Sequence, residues 1–250
     1  CDPDFETLAQ RVPGPRIYQL YLLKDEAWMD DIIERAVAAG YTGFCLTADT
    51  QTYSRRERDI LKRYVPMSGR RAAGSGSGFG AQSTMSWDTV AHIKDKFDIP
   101  LLVKGVAVAE DAARCVDAGV DVIYVSNHGG RQLDHTRACI DALPEVVAAV
   151  DGRRPVVVDG GFMRGADVVK ALCLGATAVG LGRFEALAMA AGGKDALVTA
   201  LEILEHEIKT TMALAGAPTL ADLTPELVCR DQPITPPHVL SAFPFIEEGY

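Results

Sequence analysis

Between positions 120 and 125 the chain carries Val120, Val122, Ile123 and Val125 with Tyr124 among them, an apolar run lacking the alternation of a half-exposed strand. Such a run reads as a strand buried on both faces, and strands of that kind belong to parallel sheets covered by helices. At its C-terminal end the run releases Ser126, Asn127, His128, Gly129, Gly130 and Arg131 in succession. An imidazole that takes a proton near neutral pH thus stands three residues from a guanidinium that can grip a carboxylate through two parallel hydrogen bonds. The pairing suggests an acidic small molecule that loses a proton; the alternative is a capped loop in which His128 only satisfies nearby backbone. Placement favours chemistry, because loops at strand C-termini carry active sites in α/β folds.

The same unit recurs along the chain. After an irregular lead-in over 1–15, punctuated by Pro3, Pro13, Gly14 and Pro15, positions 16–22 read as a first strand with Gln19 and Tyr21 on one side. A helix is expected over 25–39, with Trp28, Ile32, Ala36 and Ala39 on its apolar stripe and Gly40 as its stop. The second strand, 42–48, leads to Asp49 and Thr50 and then to the charged group Arg55, Arg56, Glu57, Arg58 and Asp59. Helices over 87–97, 109–117, 140–150 and 165–174 alternate with strands over 99–104, 120–125, 155–161 and 177–183, before a helical tail over 194–215. Asp49, Lys104, His128, Asp159 and Arg183 all fall at strand C-termini, which suggests convergence on the top face of a closed barrel.

Positions 66–83 differ in composition. Four glycines and two serines in the seven positions 74–80 predict a long mobile loop, either a lid or a surface excursion. Its length, and its place between a strand-end polar group and the next helix, favour the lid. The GxGxxG-like spacing there does not sit directly between a strand and a helix, so a dinucleotide motif is set aside.

A net charge of −9 over 250 residues argues against nonspecific nucleic-acid binding, though a local pocket in an acidic protein can still hold an anion. No apolar stretch is long enough to cross a bilayer, and no secretory signal opens the sequence. The six cysteines are scattered without a CxxC pair and read as reduced core residues of a cytoplasmic protein. His92, His135, His206 and His238 form no ligand pattern, and no metal is assigned. The whole of 1–250 reads as one domain. Six strand patterns are visible where the (β/α)8 TIM barrel has eight, so the chain is expected to begin inside a barrel, with a six-stranded open sheet as the alternative.

Six segments carry a resemblance to a known family: IYQLYLLKD at 17–25, LTADTQTYSRRERD at 46–59, LLVKG at 101–105, VSNHGGRQLD at 125–134, VVVDGG at 156–161 and GLGR at 180–183. In this order they resemble the FMN-dependent 2-hydroxy-acid oxidases and dehydrogenases, the family of glycolate oxidase, lactate oxidase and mandelate dehydrogenase. The resemblance extends to about Gly216, and SNHGGRQLD is its most specific part. It implies that His128 is the active-site base, Asp49 the carboxylate that orients it, and Arg131 the clamp for the substrate carboxylate. It further implies that Tyr21 meets the substrate hydroxyl, that Arg56 lies near the base, and that Lys104 sits beside the flavin N1 and C2 carbonyl. Gln19 and Thr47 would contact the flavin ring, Asp159 the ribityl chain, and Gly161, Gly182 and Arg183 the phosphate.

The chain departs from the family at Ala48, Asp49, Thr50 and Gln51, where VDTP is common, at Met163, where many relatives place a phosphate-binding arginine, and at Phe184, where proline usually follows. The implied activity is oxidation of a small or aryl-substituted (S)-2-hydroxy acid to the 2-oxo acid, with hydride transfer to FMN following or accompanying deprotonation of the hydroxyl by His128. Oxygen would reoxidise the flavin and give hydrogen peroxide. A dehydrogenase using another acceptor, a lactate-type monooxygenase, and a noncatalytic partial barrel or structural subunit stand as alternatives. The resemblance and the strand count also imply a complementary N-terminal polypeptide supplying the first two strands, whether a separate chain, a cleaved piece of a longer precursor that stays associated, or a preceding part of the same chain, and homo-oligomers of complete barrels such as a tetramer.

Overall fold

Six apolar runs form six parallel strands in the computed structural model, which describes residues 3–52, 54, 61–63, 82–133 and 135–230. The strands are β1 (Ile17–Leu20), β2 (Gly43–Thr47), β3 (Leu101–Val106), β4 (Val122–Val125), β5 (Val156–Val158) and β6 (Ala178–Val179). They stand side by side in chain order, each parallel to the next. A doubly wound open sheet reverses its strand order at a switch point. No reversal occurs here among the described residues, so the sheet is a six-stranded portion of a TIM barrel rather than the open alternative.

Helices α2 (Glu26–Ala38), α3 (Trp87–Lys96), α4 (Ala109–Asp117), α5 (Cys139–Val150), α6 (Gly165–Cys173) and α7 (Arg183–Leu214) follow successive strands, and α1 (Phe5–Arg11) precedes β1. One face of the sheet, carrying Phe44, Leu46, Leu101, Val103, Ile123, Val125, Val156 and Val158, shares an apolar core with residues from helices α2 to α6. Along the opposite face, the register sets Thr47, Lys104, Tyr124, Val157 and Ala178 side by side in one row across five strands. At the other end of the sheet the Asp121 carboxylate accepts from the Leu101 amide at 2.8 Å and from Lys94 Nζ at 2.7 Å, tying the starts of β3 and β4 to α3.

Several elements differ from the sequence reading. The lead-in is not irregular throughout: Asp4 caps α1 by accepting from the Thr7 amide at 2.7 Å, and Phe5 packs into the core. The buried stripe of α2 runs through Met29, Ile32, Ile33 and Ala36, leaving Trp28 and Ala39 at its margin. β3 continues two residues past Lys104, with a bulge at Gly105. Arg183 does not end a strand; it opens α7, which bends at Gly192 and Gly193. Cys45, Cys115, Cys139 and Cys173 are free and buried, as expected of core thiols, whereas Cys229 is exposed. Most of the expected loop over 66–83 lies outside the described residues, although Gln82–Thr84 forms a short 3-10 turn. Among the described residues no helix is long and apolar enough to cross a membrane.

Candidate active site

The C-terminal ends of β2, β3, β4 and β5 bring four titratable side chains together. Lys104, only 7% exposed, donates from Nζ to Ser126 Oγ at 2.7 Å, and its ammonium lies 3.3 Å from Asp159 Oδ2 and 3.7 Å from Asp49 Oδ2. Ser126, the first residue beyond β4, also accepts the His128 amide at 3.1 Å. One hydroxyl therefore joins the lysine of β3 to the backbone of the turn that carries the histidine.

That turn is conformationally unusual. His128, Gly129 and Gly130 have φ of +56°, +66° and +71°, and Asn127 Oδ1 caps them by accepting from the Gly130 amide at 3.0 Å. Left-handed backbone is easy for glycine and costs about 1 kcal/mol or more for histidine, a strain often found at functional sites. Here it turns the imidazole back across the sheet, where Nδ1 lies 2.9 Å from Asp49 Oδ1. An ionised carboxylate only accepts, so Nδ1 holds the proton and Nε2 the lone pair in the neutral ring. Asp49 has room because residue 105 is glycine: a Cβ there would stand 2.7 Å from the Asp49 nitrogen.

The other expected residues gather around this pair. The Tyr21 ring meets the His128 ring edge-on, with centroids 6.1 Å apart, and Gln19 Nε2 donates to Thr47 Oγ1 at 3.0 Å. Arg131 closes the turn, and its carbonyl accepts from Ser54 Oγ at 2.6 Å. Arg183 lies against Gly129, where a Cβ would come within 3.2 Å of its guanidinium. A cavity of about 330 Å³ is lined by Gln19, Tyr21, Lys104, His128, Arg131, Asp159, Gly161, Gly182 and Arg183. Asp49 and Thr47 stand behind that lining, and Arg56 lies outside the described residues. A larger cavity of about 750 Å³, behind Asp49 and Ser126, contains none of Lys104, His128, Arg131 and Arg183, so the smaller one is the candidate site.

Ser126, Gly105 and Tyr124 were not singled out as site residues by sequence reasoning. Ser126 carried a usable signal, as the first polar residue after a buried strand; the other two act through neighbours on different strands. Tyr124 lies beneath Lys104, and burial, followed by the nearby Asp159 carboxylate, pushes its phenol upward in pKa. Burial likewise pushes the Cys45 thiol up to about 12, so it is inert beside the site.

Comparison with known proteins gives this geometry a context. A family model described as FMN-dependent dehydrogenase matches residues 2–230. A peroxisomal (S)-2-hydroxyacid oxidase of Arabidopsis thaliana is 40% identical over 88% of this chain and 65% of its own length. An L-lactate oxidase of Nostoc sp. is 38% identical over 84% of this chain and 63% of its own. A crystal structure of mandelate oxidase with benzoyl-formic acid superposes with a TM-score of 0.78 at 39% identity, covering 86% of this chain and 63% of that one. The chain thus spans somewhat under two thirds of the length of these relatives.

The residues present suit FMN. Asp159 lines the cavity, and its Oδ1 is a buried acceptor without a hydrogen-bond partner among the described residues, a costly arrangement that a ligand bearing hydroxyl donors relieves. Gly161 and Gly182 leave open space where a Cβ would stand, so a phosphate can approach their backbone beside Arg183. The match over residues 2–230 and the fit of these groups agree: the chain belongs to the FMN-dependent dehydrogenase family.

Proposed function

We propose that this chain carries the flavin and base machinery of an FMN-dependent oxidase that converts a small or aryl-substituted (S)-2-hydroxy acid to its 2-oxo acid, with oxygen as terminal acceptor and hydrogen peroxide as co-product. The observation that carries this reading is the 2.9 Å His128–Asp49 pair beside a buried lysine, in which His128, held in left-handed backbone, lines the same cavity as Arg131.

Arg131 holds the substrate carboxylate through paired hydrogen bonds, a role for which a planar guanidinium is suited. Tyr21 hydrogen-bonds the substrate hydroxyl. His128 takes the hydroxyl proton at Nε2, and Asp49 keeps the ring oriented and stabilises the imidazolium that results. FMN, when bound, supplies the acceptor for the two electrons that leave with the Cα hydrogen. Lys104 offsets the negative charge that arrives next to it, Gln19 and Thr47 contact the ring, and Asp159 takes the ribityl hydroxyls. Gly161, Gly182 and Arg183 hold the phosphate, while Arg56 supports anionic species near the base.

A complementary N-terminal polypeptide, assembly into homo-oligomers and a cytoplasmic location complete the proposal; the four buried free thiols support a reducing compartment. Anaerobic addition of lactate, glycolate or mandelate to the FMN-loaded protein tests the chemistry. We expect bleaching of the flavin absorbance by at least one acid in the wild type and none with His128→Ala, which retains its FMN. Equal bleaching in both would rule out His128 as the base. Absence of FMN uptake by the folded assembly, even after its addition, would remove the flavin reading altogether, and intact-mass measurement of every polypeptide in an active preparation decides whether a partner chain is needed.

A further inference from the structure

We infer that Tyr124 is a positioning residue for Lys104, holding the lysine ammonium against the cavity wall. The two residues are cross-strand partners in the register of β3 and β4, with both side chains in the row that faces the barrel interior. Lysine has a flexible four-carbon stem and does not hold one conformation unaided. Beyond the Asp159 and Asp49 carboxylates near its ammonium, three features confine this one. On one side stands Thr47, fixed by Gln19. On the other lies the Tyr124 ring, its centroid 5.4 Å from Nζ, within the range of a cation–π contact. Ser126 Oγ then receives the ammonium at 2.7 Å.

The ring is itself seated. At Gly180, just beyond β6, a Cβ would fall upon the Tyr124 hydroxyl and lie 3.1 Å from the Asp159 Cβ, so the glycine leaves the phenol its place next to Asp159. An aliphatic residue at 124 would leave that space empty and free the lysine stem to swing away from Ser126 and from Asp159, whose carboxylate stands 3.3 Å from Nζ. Tyr124 thus sets where the positive charge is presented. In its bearing on cofactor binding, the inference rests on the FMN reading above.

Limited acylation of the flavin-free protein, with modification of Lys104 followed by peptide mass spectrometry, tests the positioning without recourse to the cofactor. Tyr124→Leu is expected to raise the Lys104 rate about threefold or more, because the cation–π contact and the lateral support are both lost. Tyr124→Phe keeps the ring and is expected to react as the wild type does. Should the leucine variant fail to fold, Tyr124→Met takes its place in the same comparison. Unchanged Lys104 acylation in the folded leucine or methionine variant overturns the inference, as does a phenylalanine variant that reacts as fast as either. In FMN titrations, Tyr124→Leu should weaken binding in the wild type and have no further effect when Lys104→Met is also present; equal weakening in both backgrounds also overturns it. Failure of the wild type to take up FMN would count against the flavin reading alone, and the acylation rates would still decide the role of Tyr124.

Discussion

Replacing Asp49 by asparagine keeps the size of the side chain but removes the charge that holds His128 Nδ1–H. If Asp49 stabilises the imidazolium, Asp49→Asn should lower kcat by about 10²-fold or more while leaving FMN affinity within a few fold, a split that stopped-flow reduction and flavin titration separate. Gly105→Ala offers an indirect route to the same defect. Its φ of +113° and its approach to the Asp49 backbone make any side chain there displace Asp49, at a stability cost of about 1–3 kcal/mol by urea unfolding. Combined with Asp49→Asn it should lower kcat little further, since both changes act on one contact; fully multiplicative losses would contradict that path.

At the scale of single elements, Asp121 shows how one carboxylate orders strand starts. Burial alone would raise its pKa, but the hydrogen bonds from Lys94 and the Leu101 amide outweigh that and hold it below the ordinary 3.8. A carboxyl lowered on folding contributes stability above its unfolded pKa and loses it as the pH falls through the folded value. Asp121→Ala should therefore cost about 1–2 kcal/mol near neutral pH, allowing for its partial exposure, and the difference from wild type should shrink in acid. Urea midpoints across that range check both the size and the sign.

The elements differed in how well the sequence disclosed them. β4 and β5 are continuous apolar runs and β3 opens with one, which makes all three readable together with the polar residues at or near their ends, because position at a strand C-terminus follows from chain order. α1 was not, since Pro3 and the Pro13–Pro15 stretch hid the Asp4 cap between them. The start of α7 reads in the sequence as the end of a strand because Ala178 to Leu181 is apolar apart from glycine, whereas β6 stops after two residues. Tyr124 and Gly105 acquire their roles from side chains and backbone on other strands. No single-strand pattern carries that information.

For the molecule as a whole, the placement of thiols gives a direct probe of the core. Burial pushes Cys45 and Cys115 up to about 12 and Cys139 up to about 11, leaving almost no thiolate at neutral pH. Under native conditions an alkylating reagent should modify Cys229 and spare those three, which should react only after unfolding; early labelling of Cys45 would show that the interior face of the sheet opens. The 2.9 Å contact between Asp49 and His128 has a kinetic consequence as well. Its partners are 79 residues apart, and β3 occupies the place between their strands. Closing so long a loop is entropically unfavourable until intervening contacts are made. A partly folded chain with only one or two strands docked has a hydrophobic cluster but no histidine–carboxylate pair. Recovery of the proposed flavin reduction on refolding should therefore lag behind the appearance of secondary structure and coincide with docking of β2, β3 and β4.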